Sequence, residues 1–201
     1  MAATAERIIL ASASTARALL LRAAGVPFAV EPAAIDEARL KREARRAGES
    51  PIDCASALAR QKACCVSNRH PAALVIGADQ VLAAGTEWFD KPADLAEAGA
   101  QLRALRGRSH VLATAVCVAQ GGMPLWQATS RPELHVRRFG EAFLREYLAA
   151  EGEALLGSVG AYRLEGRGVQ LFSRINGDHF AVLGLPLIRS EERRVGKECR
   201  L

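Results

Sequence analysis

Apolar and polar positions follow two different periods along this chain, and the two periods predict strands and helices in turn. Short apolar runs rich in β-branched residues occupy residues 7–11, 27–30 and 74–82, and they predict buried strands. Longer segments carry apolar residues every three or four positions and predict helices at residues 15–24, 38–47, 51–67, 94–105 and 141–150. Strands that alternate with helices in this way predict an α/β domain.

Further strands are predicted in the second half of the chain, at residues 110–119, 125–128 and 134–138. Glycine punctuates the last third, where short apolar runs predict a strand at residues 169–172 and a final strand that ends at residues 184–186. No internal repeat, linker or low-complexity block divides the chain. The pattern therefore favours one domain, with two lobes around a cleft as a further expectation.

The strand at residues 74–82 contains one acid, Asp79, directly after the small residues Gly77 and Ala78. Burying a carboxylate is costly unless a cation, a metal or a reacting group lies beside it. Asp79 is therefore a candidate functional residue. The alternative is that it begins a polar turn at the end of the strand.

A serine-rich turn follows the first strand and leads into the first helix. The hydroxyls of Ser12 and Ser14, the free N–H groups of the helix N-terminus and the helix dipole can together bind an anion. Arg17 lies in the first turn of that helix, where a cation opposes the dipole unless an anion is bound. On this stretch alone, plain N-capping by Ser14 or Thr15 explains the pattern equally well.

Two further charged positions could face the interior. Lys62 falls four residues after Leu58 and shares the apolar face of the third helix. Its side chain either extends to the edge of that face or pairs with an anion. Glu37 precedes an Arg/Glu-rich helix, close to an apolar residue, so its carboxylate could also point inward.

Composition excludes several functional classes. Basic residues give a formal charge of +5, but they are scattered, and aromatic residues make up only 5% of the chain. The basic face or stacking platform of a nucleic-acid binder is therefore not expected. No apolar run reaches the length of a membrane span and no signal peptide is recognisable, so a cytoplasmic protein is expected. The five cysteines lack CxxC spacing, which argues against a disulfide framework and a zinc site.

The last residues, 189–201, carry no helical apolar stripe and resemble translated read-through of a sequencing-library adapter. Our hypothesis is that residues 1–188 form the domain and that residues 189–201 are a non-native tail. A packed helix over the tail would contradict it.

The candidate residues together suit a particular chemistry. Several cations and an anion-binding turn suit a polyanion such as a triphosphate, and carboxylates suit a divalent metal and the activation of a water. The chain lacks a Walker-type glycine loop, a GxGxxG after its first strand and any Ser/His or Cys/His arrangement. Kinase, dehydrogenase and covalent acyl-transfer functions therefore have little support.

An ordered set of short motifs spans about residues 7–188. Its members are Leu10-Ala11-Ser12-Ala13-Ser14 with Arg17, Asp36-Glu37, Leu58-Ala59-Arg60-Gln61-Lys62-Ala63, Ile76-Gly77-Ala78-Asp79-Gln80-Val81, Lys91-Pro92, Leu105-Arg106-Gly107-Arg108, Gly160-Ala161-Tyr162, Glu165-Gly166, Gly177-Asp178 and Gly184-Leu185-Pro186-Leu187. Each motif alone is weak, but the ordered set is specific. It resembles the Maf family, the septum-formation-protein homologues that act as nucleoside triphosphate pyrophosphatases.

The resemblance implies an α/β fold with a long, bent mixed β-sheet flanked by helices and two lobes around a cleft. It also implies a homodimer, a divalent metal cation (Mg²⁺ or Mn²⁺), and cleavage of a nucleoside triphosphate to the monophosphate and pyrophosphate. By position, Asp79 matches the family's proton acceptor, and Glu37 and Asp79 match its metal-side residues. The positions that match its phosphate-side residues are Ser12, Ser14, Arg17, Lys62 and Lys91.

Three positions bear on the choice of base: Ala16, Gln80 and Glu165. Gln80 in place of threonine and Glu165 in place of glutamine resemble the branch of the family that acts on 7-methyl-GTP. A carboxylate can accept from the N1–H and amino groups of guanine, whereas an amide can both donate and accept, as a pyrimidine edge requires. Ala16 and Thr15 depart from the family pattern. The alternatives are a dTTP/UTP pyrophosphatase of the same family and a nucleotide-binding regulator of cell division with little turnover.

Overall fold

The computed structural model describes residues 7–187, which divide into two compact units. The first unit comprises residues 7–80, 114–130 and 178–187, and the second comprises Val81–Ala113 and Arg131–Gly177. The chain passes from one unit to the other repeatedly, so the division does not follow a linker. The predicted tail, residues 189–201, lies outside the described residues.

The first unit contains a parallel group of strands and an antiparallel strand pair, with helices packed against them. Its elements are β1 (Ile8–Leu10), α1 (Thr15–Ala23), β2 (Ala29–Val30), α2 (Glu37–Arg46), α3 (Pro51–Arg69), most of β3 (Leu74–Ala84), most of β5 (Ser109–Gln120), β6 (Met123–Ser130) and α6 (His179–Val182). No helix of residues 7–187 is long and apolar enough to cross a membrane.

The second unit takes the remaining ends of β3 and β5 and adds the elements between them and after them. These are β4 (Glu87–Phe89), α4 (Leu95–Leu105), β7 (Glu133–Val136), α5 (Glu141–Glu151), three short 3₁₀ helices (Gly152–Gly157, Val159–Ala161 and Arg167–Leu171) and β8 (Phe172–Asn176). Helix α4 begins at the cap Asp94, whose carboxylate accepts from the Glu97 N–H at 2.8 Å.

The eight strands found within residues 7–187 belong to one sheet, in the order β2-β1-β3-β5-β7-β8, with β4 beside β3 and β6 beside β5. Strand β1 pairs in parallel with β2 and β3, whereas the pairs β3–β4, β5–β6, β5–β7 and β7–β8 are antiparallel. Helices accompany the strands along the chain. The prediction of a mixed α/β fold is therefore confirmed.

Helix α3 shows why its sequence forms the element that carries Lys62. Ser50 caps the helix by accepting from the Asp53 N–H at 3.3 Å, and proline occupies the first helical position. One face of the helix is buried along Ile52, Ala55, Leu58, Ala59, Lys62, Ala63 and Val66. This spacing of three and four residues is the helical period, so Lys62 lies on the apolar face as predicted.

The apolar core of the first unit forms around β1 and β3. One buried apolar cluster joins β1, β3, α1 and the segment after α6. Its members from these four segments are Ile8, Leu10, Ile76, Ala78, Ala18, Leu21, Leu185 and Leu187. The residue before Asp79 and the residue after Gly184 are therefore part of one packed cluster. This cluster fixes the ends of the segments that carry the candidate site.

Two predicted strands in the last third were wrong. Residues 167–171 form a 3₁₀ helix, and the strand begins only at Phe172. Gly168 and Leu171 are buried while Val169 between them is 55% exposed, which is the three-residue period of a 3₁₀ turn. Before residues 184–186, helix α6 replaces the predicted final strand, because Asp178 caps it by accepting from the Phe180 N–H at 2.9 Å.

His110 is buried on β5 within an aromatic cluster of the second unit. Its Nε2 and the Tyr162 hydroxyl share a hydrogen bond of 2.7 Å, and the Tyr162 ring lies 4.8 Å from the ring of Phe172. Burial lowers the pKa of His110 to about 4. The imidazole is therefore neutral in the folded protein at pH 7.

This burial predicts a pH dependence of stability. The folded-state pKa of His110 lies below the ordinary value of 6.5, so the free energy of unfolding falls as the pH drops from about 6.5 to about 4. The contribution is about 3 kcal/mol across that window. Urea unfolding at a series of pH values should show a shallower decline for His110→Gln than for the wild type. Equal slopes for the two proteins would contradict the assignment.

Candidate active site

Three charged side chains of the first unit meet at the middle of β3. Lys62 Nζ donates to Asp79 Oδ1 at 2.6 Å, and the same ammonium lies 2.9 Å from Glu37 Oε1. The side chains of Lys62 and Asp79 are 7% and 5% exposed, whereas that of Glu37 is 45% exposed. Asp79 therefore does not begin a polar turn, and Lys62 does not extend to solvent. The two residues form a buried ion pair with Glu37 at its rim.

Gly77 explains how α3 comes close enough to β3 for this pair to form. A Cβ at Gly77 would lie 2.3 Å from the carbonyl oxygen of Ala59 and 2.6 Å from the amide nitrogen of Ala63. Those two residues flank Lys62 on α3. Gly77 and Asp79 are two positions apart on β3 and so face the same side of the sheet. The missing side chain therefore lets the helix backbone approach the strand beside the acid.

We expect Gly77→Ala to damage both the fold and the site. The added methyl group meets backbone atoms that have no rotamer to change, so α3 must move away from β3 and carry Lys62 from Asp79. The expected loss is about 3 kcal/mol in the free energy of unfolding. Urea denaturation measures it.

Gly157→Ala is the matched control for that substitution. A Cβ at Gly157 meets nothing within 4 Å, and the residue needs no positive φ. This control should change stability by less than about 0.5 kcal/mol. Equal effects of the two substitutions would show that the close approach at Gly77 is unimportant.

The serine turn before α1 holds Arg17 in place. Ser14 caps the helix by accepting from the Arg17 N–H at 3.4 Å, so the N-capping alternative is observed. Ser12 Oγ accepts from the Ser14 N–H at 3.2 Å and from Arg17 Nη1 at 3.0 Å. Arg17 Nε donates to the carbonyl oxygen of Gly184 at 2.8 Å. Two hydrogen bonds, to Ser12 and to Gly184, thus hold the Arg17 guanidinium close to the start of α1.

Arg17 also belongs to the electrostatic environment of the ion pair. Burial lowers the pKa of the Arg17 guanidinium below its ordinary value, and the negative charges of Asp79 and Glu37 oppose that decrease. Two cations and two carboxylates therefore balance in this part of the first unit. A triphosphate that entered it would bring negative charge in excess of what these residues neutralise.

Gln80 follows Asp79 on β3 and faces the opposite side of the sheet. Its Nε2 lies 2.9 Å from Thr114 Oγ1, 2.9 Å from the carbonyl oxygen of Ala181 and 3.3 Å from that of Val182. Ala16 lies in the first turn of α1 and is half-buried. The predicted specificity residues Gln80 and Ala16 are thus both in the first unit.

The other two predicted site residues belong to the second unit. Lys91 is exposed and lies between β4 and α4. Glu165 is exposed in the turn before the 3₁₀ helix Arg167–Leu171, and its Oε1 lies 3.7 Å from Arg163 Nε. The first unit alone therefore brings together Ser12, Arg17, Glu37, Lys62 and Asp79.

The predicted metal ligands, Glu37 and Asp79, both contact the ammonium of Lys62. Within residues 7–187, no group of three or more His, Cys, Asp or Glu side chains is arranged to hold a metal ion. Asp79 Oδ2 is nevertheless buried without a hydrogen-bond partner among those residues. A buried carboxylate oxygen without a hydrogen-bond partner is a ligand of the type that a hard cation such as Mg²⁺ takes.

Sequence reasoning missed three residues that shape this site. Gly77 and Gly184 each stand in one of the ordered motifs, but the sequence assigns neither a role in the site, because a glycine does not reveal its contact partner. Thr114 was read only as part of an apolar strand, yet it is fully buried and its hydroxyl donates to the Ala181 carbonyl at 3.0 Å. A hydroxyl inside such a strand was the available signal, since a buried polar group needs a partner.

The sequence of this chain matches a known protein family. The family described as Maf-like protein matches residues 7–193 of this chain. The match covers most of the sequence and both described units. The chain therefore belongs to the Maf family.

Similar proteins carry two kinds of name. The nucleoside triphosphate pyrophosphatase of Granulibacter bethesdensis is 53% identical over 182 residues, which cover 90% of this chain and 92% of that protein. The protein of the same name from Paramagnetospirillum magneticum is 50% identical over 180 residues, covering 90% of this chain and 93% of that one. The 7-methyl-GTP pyrophosphatase of Rhizobium etli is 44% identical over 182 residues, which cover 90% of this chain and 92% of that protein.

Proposed function

We propose that this protein is an enzyme that hydrolyses a nucleoside triphosphate to the monophosphate and pyrophosphate. The observation that carries the proposal is the buried Lys62–Asp79 ion pair, with Glu37 at its rim, in the unit that also fixes Arg17. Membership of the Maf family and the names of the similar proteins support it.

Asp79 is the proposed proton acceptor. Water attacks the α-phosphorus, the bond to the bridging oxygen of the β-phosphate breaks, and pyrophosphate leaves. Asp79 Oδ1 is held by Lys62, while Oδ2 has no partner among residues 7–187 and can orient the water and take its proton. The ammonium of Lys62 offsets the charge that the carboxylate carries before the proton arrives.

Ser12, Ser14 and Arg17 are the proposed phosphate-binding residues at the start of α1. The oxygen of Ser12 already accepts two hydrogen bonds, so its own O–H is the group that can donate to a phosphate oxygen. The first N–H groups of α1 and the positive end of its dipole favour an anion at the same place. Arg17 and Lys62 would offset the charge that builds on the pyrophosphate leaving group.

A divalent cation, Mg²⁺ or Mn²⁺, fits the donors of this site. Glu37 and Asp79 would hold it together with phosphate oxygens, and when bound it neutralises part of the charge of the triphosphate. The balanced charges of the first unit are the reason for expecting it, because Arg17 and Lys62 already face two carboxylates.

The finer proposals come from the family resemblance. Gln80, Glu165 and Ala16 are the proposed specificity residues, and Gln80 and Glu165 favour 7-methyl-GTP or a related nucleotide. Lys91 is the proposed phosphate-binding residue of the second unit. A homodimer in the cytoplasm is the proposed state of the protein.

Product analysis with four nucleotides tests the proposal. Purified protein with Mg²⁺ or Mn²⁺ is given 7-methyl-GTP, GTP, dTTP or UTP, and pyrophosphate and monophosphate are measured. We expect both products in equal amounts, with the highest kcat/KM for 7-methyl-GTP. Higher values for dTTP and UTP would favour the pyrimidine branch of the family. Nucleotide binding that raises the melting temperature without pyrophosphate release would favour a regulator and contradict the proposed activity.

A further inference from the structure

Arg17 depends on a segment from the far end of the described chain. Its Nε donates to the Gly184 carbonyl at 2.8 Å, although the two residues are 167 positions apart. Gly184 has a φ of +95°, and a Cβ at this position would lie 3.3 Å from Arg17 Nε. The positive φ favours glycine here, and a Cβ at this position would also press on the Arg17 side chain. The position of the guanidinium follows the position of Gly184.

Gly184 lies two residues after the end of α6, next to the helix cap Leu183, and α6 is too short to be stable by itself. The helix has four residues, His179–Val182, and a helix of this length is unstable without tertiary contacts. The Gly184 N–H donates to the Ala181 carbonyl at 3.0 Å, and the Leu185 N–H donates to the Phe180 carbonyl at 3.1 Å. Whatever fixes the carbonyl end of α6 therefore also fixes Gly184.

Two polar side chains bind that carbonyl end from the sheet. Thr114 Oγ1 donates to the Ala181 oxygen at 3.0 Å, and Gln80 Nε2 donates to the Ala181 oxygen at 2.9 Å. Gln80 Nε2 also lies 2.9 Å from Thr114 Oγ1. The hydroxyl proton of Thr114 goes to Ala181, so the hydroxyl accepts from the amide. The three groups form one connected hydrogen-bond network, and Thr114 is fully buried.

The network starts one residue away from the proposed proton acceptor. Asp79 and Gln80 are neighbours on β3 and face opposite sides of the sheet. Asp79 contacts Lys62 on one side, and Gln80 holds α6 on the other. A single stretch of strand thus carries the acid and anchors the segment that sets Arg17.

We propose that Thr114 and Gln80 are positioning residues that fix Arg17 relative to Asp79 through α6 and Gly184. The proposal rests on the proposed function for its catalytic meaning, but the mechanical link is a property of the folded chain alone. This positioning role replaces the base-recognition role that the family resemblance implies for Gln80, and it leaves Glu165 and Ala16 as the proposed specificity residues. Because the network orients the amide nitrogen of Gln80 toward α6, its substitution should affect all nucleotides alike.

The Nε–H of Arg17 reports the link directly. In ¹⁵N-labelled protein without ligand, its NMR signal should be protected from solvent exchange, and Arg17→Lys should remove the signal and so assign it. We expect Thr114→Val to speed exchange of this proton about five- to tenfold, which is the loss of one hydrogen bond. Thr114→Ser, which keeps the hydroxyl, should restore protection.

Amide protons of the second unit serve as the internal control. Those of β7 and β8 should exchange at the wild-type rate in Thr114→Val, so that a general loss of stability is distinguished from release of Arg17. Unchanged protection of the Arg17 Nε–H in Thr114→Val, or equal acceleration throughout the protein, would overturn the proposal. The measurement needs no turnover, so it decides the link even if the proposed activity fails.

Kinetics of Gln80→Met separate positioning from base recognition. If Gln80 positions Arg17, kcat/KM should fall by the same factor, about five- to tenfold, for 7-methyl-GTP and dTTP. A change in the ratio of the two values would assign Gln80 to the base and overturn its part of the proposal.

Discussion

Asp79→Asn should lower kcat for triphosphate hydrolysis by at least about a hundredfold while the protein stays folded. The amide oxygen of asparagine can still accept from Lys62, so the contact that joins β3 to α3 keeps one hydrogen bond. The amide cannot take a proton from water at neutral pH. Pyrophosphate release measures the loss, and circular dichroism with urea unfolding measures the fold.

Asp53→Asn is the matched control for that result. Asp53 is exposed in the first turn of α3, the helix that carries Lys62. Its substitution makes the same chemical change away from the site, and turnover should stay within about twofold of the wild type. Near-normal pyrophosphate release by Asp79→Asn would remove Asp79 from its proposed role.

Lys62→Met should be the most destabilising change of a site residue. It leaves the Asp79 carboxylate, 5% exposed, without its cation and beside a second acid, Glu37. Removing one partner of a buried ion pair costs about 3 kcal/mol or more in the free energy of unfolding. Turnover should also fall, because the proposed leaving-group cation is lost. Urea denaturation and pyrophosphate release measure the two effects.

A double variant separates the two effects of Lys62→Met. In Lys62→Met/Asp79→Asn no unpaired buried charge remains, so most of the lost stability should return while turnover stays low. The exposed Arg60 on the same helix supplies the control Arg60→Met, which should change stability by less than about 0.5 kcal/mol. A double variant that is less stable than Lys62→Met would contradict the buried-pair account.

The two residues of the ion pair, Asp79 and Lys62, could be singled out from the sequence because each is a charged residue at a position where the local pattern predicts burial. An acid inside a run of β-branched residues and a lysine on a helical apolar stripe each violate the rule that buried charges need partners. Asp79 needs a buried cation and Lys62 needs a buried anion, and the two residues lie in consecutive elements of the chain. The pattern did not identify Gly77 as the residue that lets α3 approach β3, since that requires knowing which helix backbone lies opposite.

The contacts around Arg17 could not be predicted from the sequence for a different reason. The Gly184 carbonyl lies 167 residues away, and the Gln80 amide reaches Ala181 across 101 residues. No periodicity links such positions. The short apolar run before Gly184 predicted a strand, whereas Asp178 caps the short helix α6 there.

Local sequence patterns alone do not single out Lys91 and Glu165 as site residues. Both residues are exposed in the second unit, and neither violates a burial rule. Only the ordered family motifs singled them out, so their proposed roles rest on the resemblance. The proposed roles of Ser12, Arg17, Glu37, Lys62 and Asp79 in the first unit, by contrast, are also supported by contacts in the structure.

Hydrolysis in oxygen-18 water tests the central claim most directly. The protein is incubated with Mg²⁺ and the nucleotide that gives the highest kcat/KM, and the products are analysed by mass spectrometry. Attack of water at the α-phosphorus beside Asp79 predicts that the label enters the nucleoside monophosphate and that pyrophosphate stays unlabelled. Label in pyrophosphate or in inorganic phosphate, with none in the monophosphate, would contradict the account.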